Sequence, residues 1–185
     1  TTIQSTRGGT EIPAIIMVPE TSAENMPLVL ICHGYTGSKQ GDANNPDDGT
    51  RHFTELGNLL AANGIAAISI DFPGCGESTD LQTNYTLTNM KADLDAATKY
   101  MEENYSIDSS KIGIVGHSMG GRLASEYLDK VQAAALWAPA NGDGLSGLEF
   151  LGDYESLNAR AQRGEQVDGW GFKLSKQFFN DMAAS

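Results

Sequence analysis

Four short apolar runs constrain what this chain can fold into. They are PLVLICHG (27–34), IAAISIDF (65–72), KIGIVG (111–116) and AAALWAP (133–139). Each is rich in Val, Ile, Leu or Ala, with little polar alternation. Runs of this kind read as strands buried on both faces, as in parallel sheets. Segments with helical spacing lie between them. Phe53, Leu56, Leu59 and Leu60 share one face, and Asn63-Gly64 stops that helix. Leu87, Met90, Leu94, Ala97 and Met101 share another, capped by Thr86 or Thr88. After the third run, Leu123, Ala124, Tyr127 and Leu128 are expected to turn inward. Strands separated by helices imply right-handed crossovers and an α/β fold, a mainly parallel sheet with helices on both faces. Residues 12–18 form a further strand, and Pro13 suggests that it lies at an edge.

The rhythm breaks after Ala140. Residues 1–140 read as the core, and 141–185 as an excursion off the sheet with amphipathic pieces and no convincing buried strand. At 185 residues the chain is long enough for one domain with a real core.

The net charge of -12 argues against nucleic acid or an anionic membrane as the main partner. No apolar run approaches the ~20 residues of a membrane span. The start, TTIQSTRGGTEIP, shows no basic-then-apolar leader. Cys32 and Cys75 have no metal-binding spacing and suit a reducing compartment, so the expected location is cytoplasmic. Cys32 is expected to be buried in its strand, and Cys75 partly exposed in a glycine-rich turn. Asp42, Asp47 and Asp48 lack the spacing and closing glutamate of a calcium loop. Neither a metal nor an organic cofactor is expected.

Three motifs carry chemistry. In GIVGHSMGGR (113–122), Ser118 follows a strand and opens a helix, between Gly116 and Gly120. A serine displayed on so tight a turn needs small neighbours, and the helix N-terminus favours negative charge developing there. Ser118 is therefore the candidate nucleophile. His117 is rejected as its base, because adjacent residues on such a turn point apart. In HGYTGSK (33–39), the amide of Tyr35 can join that of Met119 as an oxyanion hole. The Tyr35 side chain is a candidate pocket wall, and His33 is expected to brace the loop. In DFPGCGES (71–78), Asp71 is expected to organise the turn, and Ser78 to serve as a turn or cap residue.

These motifs, with DSSKIGIVGHSMGG and ALWAPA, resemble the α/β-hydrolase superfamily. The resemblance is closer to the small bacterial feruloyl and cinnamoyl esterases. It implies an α/β-hydrolase fold in which Ser118 attacks an ester carbonyl to form an acyl-enzyme, with the Tyr35 and Met119 amides holding the oxyanion. It also implies that 141–185 begin a lid, in which Trp170, Phe172, Phe178 and Phe179 are candidate aromatic contacts. Trp170 and Phe172 are the ones assigned to substrate, which is expected to be a small-molecule ester. A lid-mediated homodimer is an expectation by resemblance alone.

The resemblance places an acid and a histidine after the serine. The chain's three histidines are His33, His52 and His117, and none follows Ser118. His52 reads as a solvated or helix-start residue. Asp129, Asp143, Asp153, Asp168 and Asp181 follow no recognisable strand. The expectation is that acid and base lie outside these 185 residues, in a C-terminal part of the fold or a complementary chain. An apolar edge should then be exposed at AAALWAP. A peptidase or thioesterase of the same fold, and a non-catalytic binding module, are the alternatives.

Overall fold

The computed structural model describes residues 1–20, 24–41 and 51–185. The acidic loop residues Asp42, Asp47 and Asp48 lie outside the described residues. Six strands form one sheet: β1 (Thr2–Gln4), β2 (Glu11–Met17), β3 (Met26–Cys32), β4 (Ala66–Ile70), β5 (Ile107–His117) and β6 (Ala133–Trp137). Their spatial order is β1-β2-β4-β3-β5-β6. The last four pair in parallel, while β1 and β2 join antiparallel.

Pro13 does not mark an edge. Strand β1 covers β2 on one side and β4 on the other. The proline is tolerated because it sits where the β2–β4 ladder ends. That ladder begins at Ala14↔Ile70, and the Pro13 carbonyl accepts from the Asp71 amide just beyond it. Its missing N–H falls past the last paired residue.

Helix α1 (His52–Ala62) covers one face, with Phe53 and Gly57 against Met17, Ile31 and Ala67. A Cβ on Gly57 would lie 2.2 Å from Met17 Cε, so the glycine is what lets helix and sheet close up. Leu59 is 63% exposed, against expectation. It lies two residues, about 200° of helical rotation, from the Gly57 contact line. Helices α2 (Leu87–Asn104) and α3 (Met119–Ser125) cover the other face. Thr86, not Thr88, caps α2, its hydroxyl accepting from the Asn89 amide at 3.1 Å. Leu87, Met90, Leu94, Ala97 and Met101 are all buried, as their spacing predicts. Leu128 is exposed because α3 ends at Ser125 and the chain tightens into a short 3₁₀ turn, Leu128–Lys130.

Residues beyond 140 form a 3₁₀ segment (Gly144–Leu151), α4 (Tyr154–Gln162), a hairpin of β7 (Val167–Gly169) and β8 (Phe172–Leu174), and α5 (Lys176–Ala184). The expectation of no buried strand here is corrected. Val167 and Leu174 pair across the hairpin and are fully buried. Three-residue strands are too short to show a period in sequence. Leu148, Leu151, Leu174, Phe178, Phe179 and Met182 belong to the same apolar cluster as α2 and the sheet.

At the far edge, all five residues of β6 are exposed, including Leu136 and Trp137. An apolar groove of Val29, Leu56, Leu60, Val115 and Ala133–Ala135 runs along the same side. The apolar edge expected at AAALWAP is therefore present. KIGIVG is buried on one face only: Ile112 and Ile114 are covered, while Gly113 and Val115 are half-exposed.

Candidate active site

Ser118 stands between the end of β5 and the first residue of α3, with φ 52° and ψ -118°. That region is sparsely populated for a residue with a side chain and stores strain of order 1–3 kcal/mol. The turn is held from both sides. The Ser118 amide donates to the Trp137 carbonyl at 3.1 Å, and the Ser118 carbonyl accepts from the amides of Arg122 and Ala140. The flanking glycines are required by close approach. A Cβ on Gly116 would lie 2.0 Å from the Gly120 carbonyl oxygen, and one on Gly120 would lie 2.3 Å from that of Cys32. The elbow packs directly on the end of β3, where the HGYTG loop begins.

That loop is braced as expected. His33 is fully buried, and its Nε2 accepts from the Phe72 amide at 3.1 Å. Its Nδ1 must then carry the proton, which it donates to the Gly34 carbonyl at 2.7 Å. A histidine committed at both nitrogens does not move protons for Ser118. Asp71 organises its turn, also as expected. Its carboxylate accepts from the Lys39 amide at 2.7 Å, the Lys39 ammonium at 2.6 Å and the Glu77 amide at 2.9 Å. Burial lowers the Lys39 pKa, but the bonds to Asp71 and Glu77 outweigh it and hold the ammonium above its ordinary value. Ser78 is a turn residue, its amide on the Cys75 carbonyl. Both cysteines are buried, so Cys75 is not partly exposed.

Ser118 opens into a cavity of about 220 Å³ lined by Gly34, Tyr35, Thr36, His117, Phe150 and Trp170. Tyr35 lines this cavity, and Met119 is the first residue of α3, directly after Ser118. The Tyr35 ring is wedged edge-on between Tyr85 and Phe150, and its hydroxyl donates to the Gly169 carbonyl at 2.8 Å. Burial pushes the phenol pKa up. Trp170 lines the cavity from the β7–β8 turn, stacked edge-on against Phe150 at 5.7 Å.

Phe172 does not line the cavity. It is 4% exposed and packs behind Tyr35 and against Tyr85, because its position in β8 points into the core. Phe178 and Phe179 are likewise core residues. Phe150 is the wall that sequence reasoning missed. Nothing in GLSGLEFL announces it, since a 3₁₀ segment carries no amphipathic period long enough to read.

The other two histidines both pack against Trp137. His52 packs against Phe53 and Trp137, not toward the serine cavity. His117 lies at the cavity and stacks on Trp137 at 5.2 Å. Among the described residues, the late aspartates do local work. Asp153 caps α4, Asp168 closes the hairpin onto Gly171 and Lys173, and Asp181 accepts from the Thr88 amide. None lines the cavity.

A strained serine between two obligatory glycines, at the strand–helix junction of a mainly parallel sheet, agrees with the family comparison. A model of the alpha/beta hydrolase fold matches residues 27–170. The chain belongs to the alpha/beta hydrolase family. Among solved structures, this chain is similar to Est1E from Butyrivibrio proteoclasticus, determined with ferulic acid bound. The TM-score is 0.69 at 21% identity, covering 100% of this chain and 71% of that one. It is also similar to the Pyrococcus furiosus esterase Pf2001, with a TM-score of 0.58 at 20% identity over 76% of this chain and 50% of that one. In sequence, it is 27% identical over 104 residues to an uncharacterized 31.7 kDa Escherichia coli protein encoded between traX and finO. The match covers 56% of this chain and 32% of the relative. It is 30% identical over 131 residues to a multifunctional-autoprocessing repeats-in-toxin protein of Vibrio vulnificus, 70% of this chain and 2% of the toxin. The chain thus spans about a third or less of the length of these curated relatives.

Proposed function

We propose that this chain carries the nucleophile and oxyanion hole of a serine carboxylic-ester hydrolase that works through an acyl-enzyme. The observation that supports the reading best is Ser118, held at positive φ at the floor of a cavity whose other wall is the HGYTG loop. The hydroxyl would attack an ester carbonyl. The carbonyl π electrons move to the oxygen, where the Tyr35 and Met119 amides would receive the negative charge. Collapse of the tetrahedral species expels the alcohol, and water then releases the acid.

The aromatic walls Tyr35, Phe150 and Trp170 favour a flat aryl acyl group, and the ferulic acid in Est1E supports a feruloyl-type ester. In this reading the Ser118 proton passes to a general base that is not assigned among the described residues, and imidazole added in solution should accelerate hydrolysis.

The test uses the polypeptide that contains this chain, with p-nitrophenyl acetate and methyl ferulate as substrates, beside Ser118→Ala. Hydrolysis of both that vanishes with Ser118→Ala supports the reading. Hydrolysis indifferent to Ser118 overturns it. Faster turnover of aminoacyl amides or acyl-CoA thioesters would move the assignment to a peptidase or thioesterase.

A further inference from the structure

Arg122 is 5% exposed, and no Asp or Glu side chain among the described residues hydrogen-bonds its guanidinium. A buried guanidinium is costly unless its donors are satisfied. Here they are satisfied by residues beyond 139, through main-chain oxygens and the Ser185 hydroxyl. One Nη donates to the Gly144 carbonyl at 3.0 Å, the Met182 carbonyl at 3.2 Å, the Ser185 main-chain oxygen at 3.3 Å and the Ser185 hydroxyl at 2.5 Å, the other to the Ala140 carbonyl at 3.4 Å. Nε donates to the Ser185 hydroxyl at 3.0 Å. Desolvation pulls the Arg122 pKa down, consistent with this enclosure. The carbonyls belong to three separate pieces: the loop after β6, the start of the 3₁₀ segment and the C-terminal end of α5. The last presents the negative end of a helix dipole to the cation.

The cradle is shaped for a guanidinium. A Cβ on Gly147 would lie 2.0 Å from Nη1, so only glycine there admits the planar group. Arg122 lies four residues after Ser118, on the helix that the serine opens. The segment it holds carries Phe150, and the hairpin that follows carries Trp170, the two cavity walls contributed by residues beyond 140.

We propose that Arg122 is a positioning residue that locks residues 144–185 onto the nucleophile helix and so fixes the distance between Ser118 and its aromatic walls. Tyr35, through its bond to Gly169, ties the opposite side of the same segment to the oxyanion loop. Wall placement and nucleophile placement are then one mechanical unit. The catalytic consequence rests on the esterase reading above; the clamp itself does not.

Hydrogen exchange read by mass spectrometry on Arg122→Ala, Arg122→Lys and Gly147→Ala tests it. Gly147→Ala keeps the charge and pushes the guanidinium from its cradle. Exchange in 144–151 and 176–184 should rise at least tenfold in Arg122→Ala and Gly147→Ala, with β3 and β4 within twofold of the parent. Arg122→Lys should restore only part, because one ammonium cannot span three carbonyl sources. In the intact polypeptide, KM for methyl ferulate should rise at least fivefold while kcat on p-nitrophenyl acetate stays within twofold.

Unchanged exchange in 144–184 overturns the proposal. So does core and tail exchange rising together in Gly147→Ala, or a loosened tail with no change in KM for the bulky ester. If the parent shows no Ser118-dependent hydrolysis, the esterase reading falls and the exchange data alone decide the clamp.

Discussion

Replacing Asp71 by Asn should cost this protein a large share of its stability while leaving the chemistry of Ser118 untouched. The carboxylate is buried and takes three hydrogen bonds, two from Lys39 and one from the Glu77 amide. Asparagine keeps the shape but removes the charge, and it turns an amide N–H₂ either toward both the ammonium and the Glu77 N–H or toward the Lys39 backbone N–H. Lys39, itself 6% exposed, then keeps only the exposed Glu77 as counter-ion. Breaking a buried pair by removing one partner costs about 3–5 kcal/mol. At about 2–4 °C per kcal/mol for a chain of this length, the melting temperature should fall by ~6–20 °C. Thermal unfolding by circular dichroism would measure it. The sign with pH follows from Lys39. Its folded pKa is raised, so its contribution is fully present below the ordinary lysine value of 10.5 and is lost as pH rises through the folded value. The penalty should therefore be flat from about pH 6 to 9. Lys39→Met with Asp71→Asn should be less destabilised than Asp71→Asn alone, because the uncompensated cation is gone. A loss under about 1 kcal/mol would place the pair with surface ion pairs and refute the reasoning.

Three further outcomes are expected. Ser118→Gly should raise the melting temperature, because relief of about 1–3 kcal/mol of strain exceeds the ~0.5–1 kcal/mol entropic cost of glycine. A melting temperature equal to or below the parent's would show the turn to be unstrained. Tyr35→Phe should lose about 0.5–1.5 kcal/mol in chemical denaturation, the net worth of the bond to Gly169. No change there would mean that water replaces the bond. Acrylamide should quench nearly all tryptophan emission of the 185-residue chain, since Trp137 is 50% and Trp170 70% exposed. A protected, blue-shifted component would show that β6 is covered.

Much of the layout was legible in the residues. Short uninterrupted apolar runs and 3.6-residue periods are local signals, so β3, β4, α1, α2 and the elbow at Ser118 could be read directly. Asp71 as a turn organiser and His33 as a brace followed from chain order and loop chemistry. The misreadings share a cause. Pro13 in a covered strand, Leu59 in solvent, and Phe172 in the core rather than the cavity all depend on which neighbour each residue meets. Spacing does not encode that.

By itself, the sequence determined the fold class and the tight strand–helix turn at Ser118, because strand, turn and helix signals are short-range and glycine requirements are steric. Only the tertiary structure decided what surrounds Ser118. Phe150, Trp170, the Tyr35–Gly169 bond and the Arg122 cradle join residues 18 to 134 positions apart. Such contacts arise when a segment without period of its own packs onto a core built elsewhere in the chain.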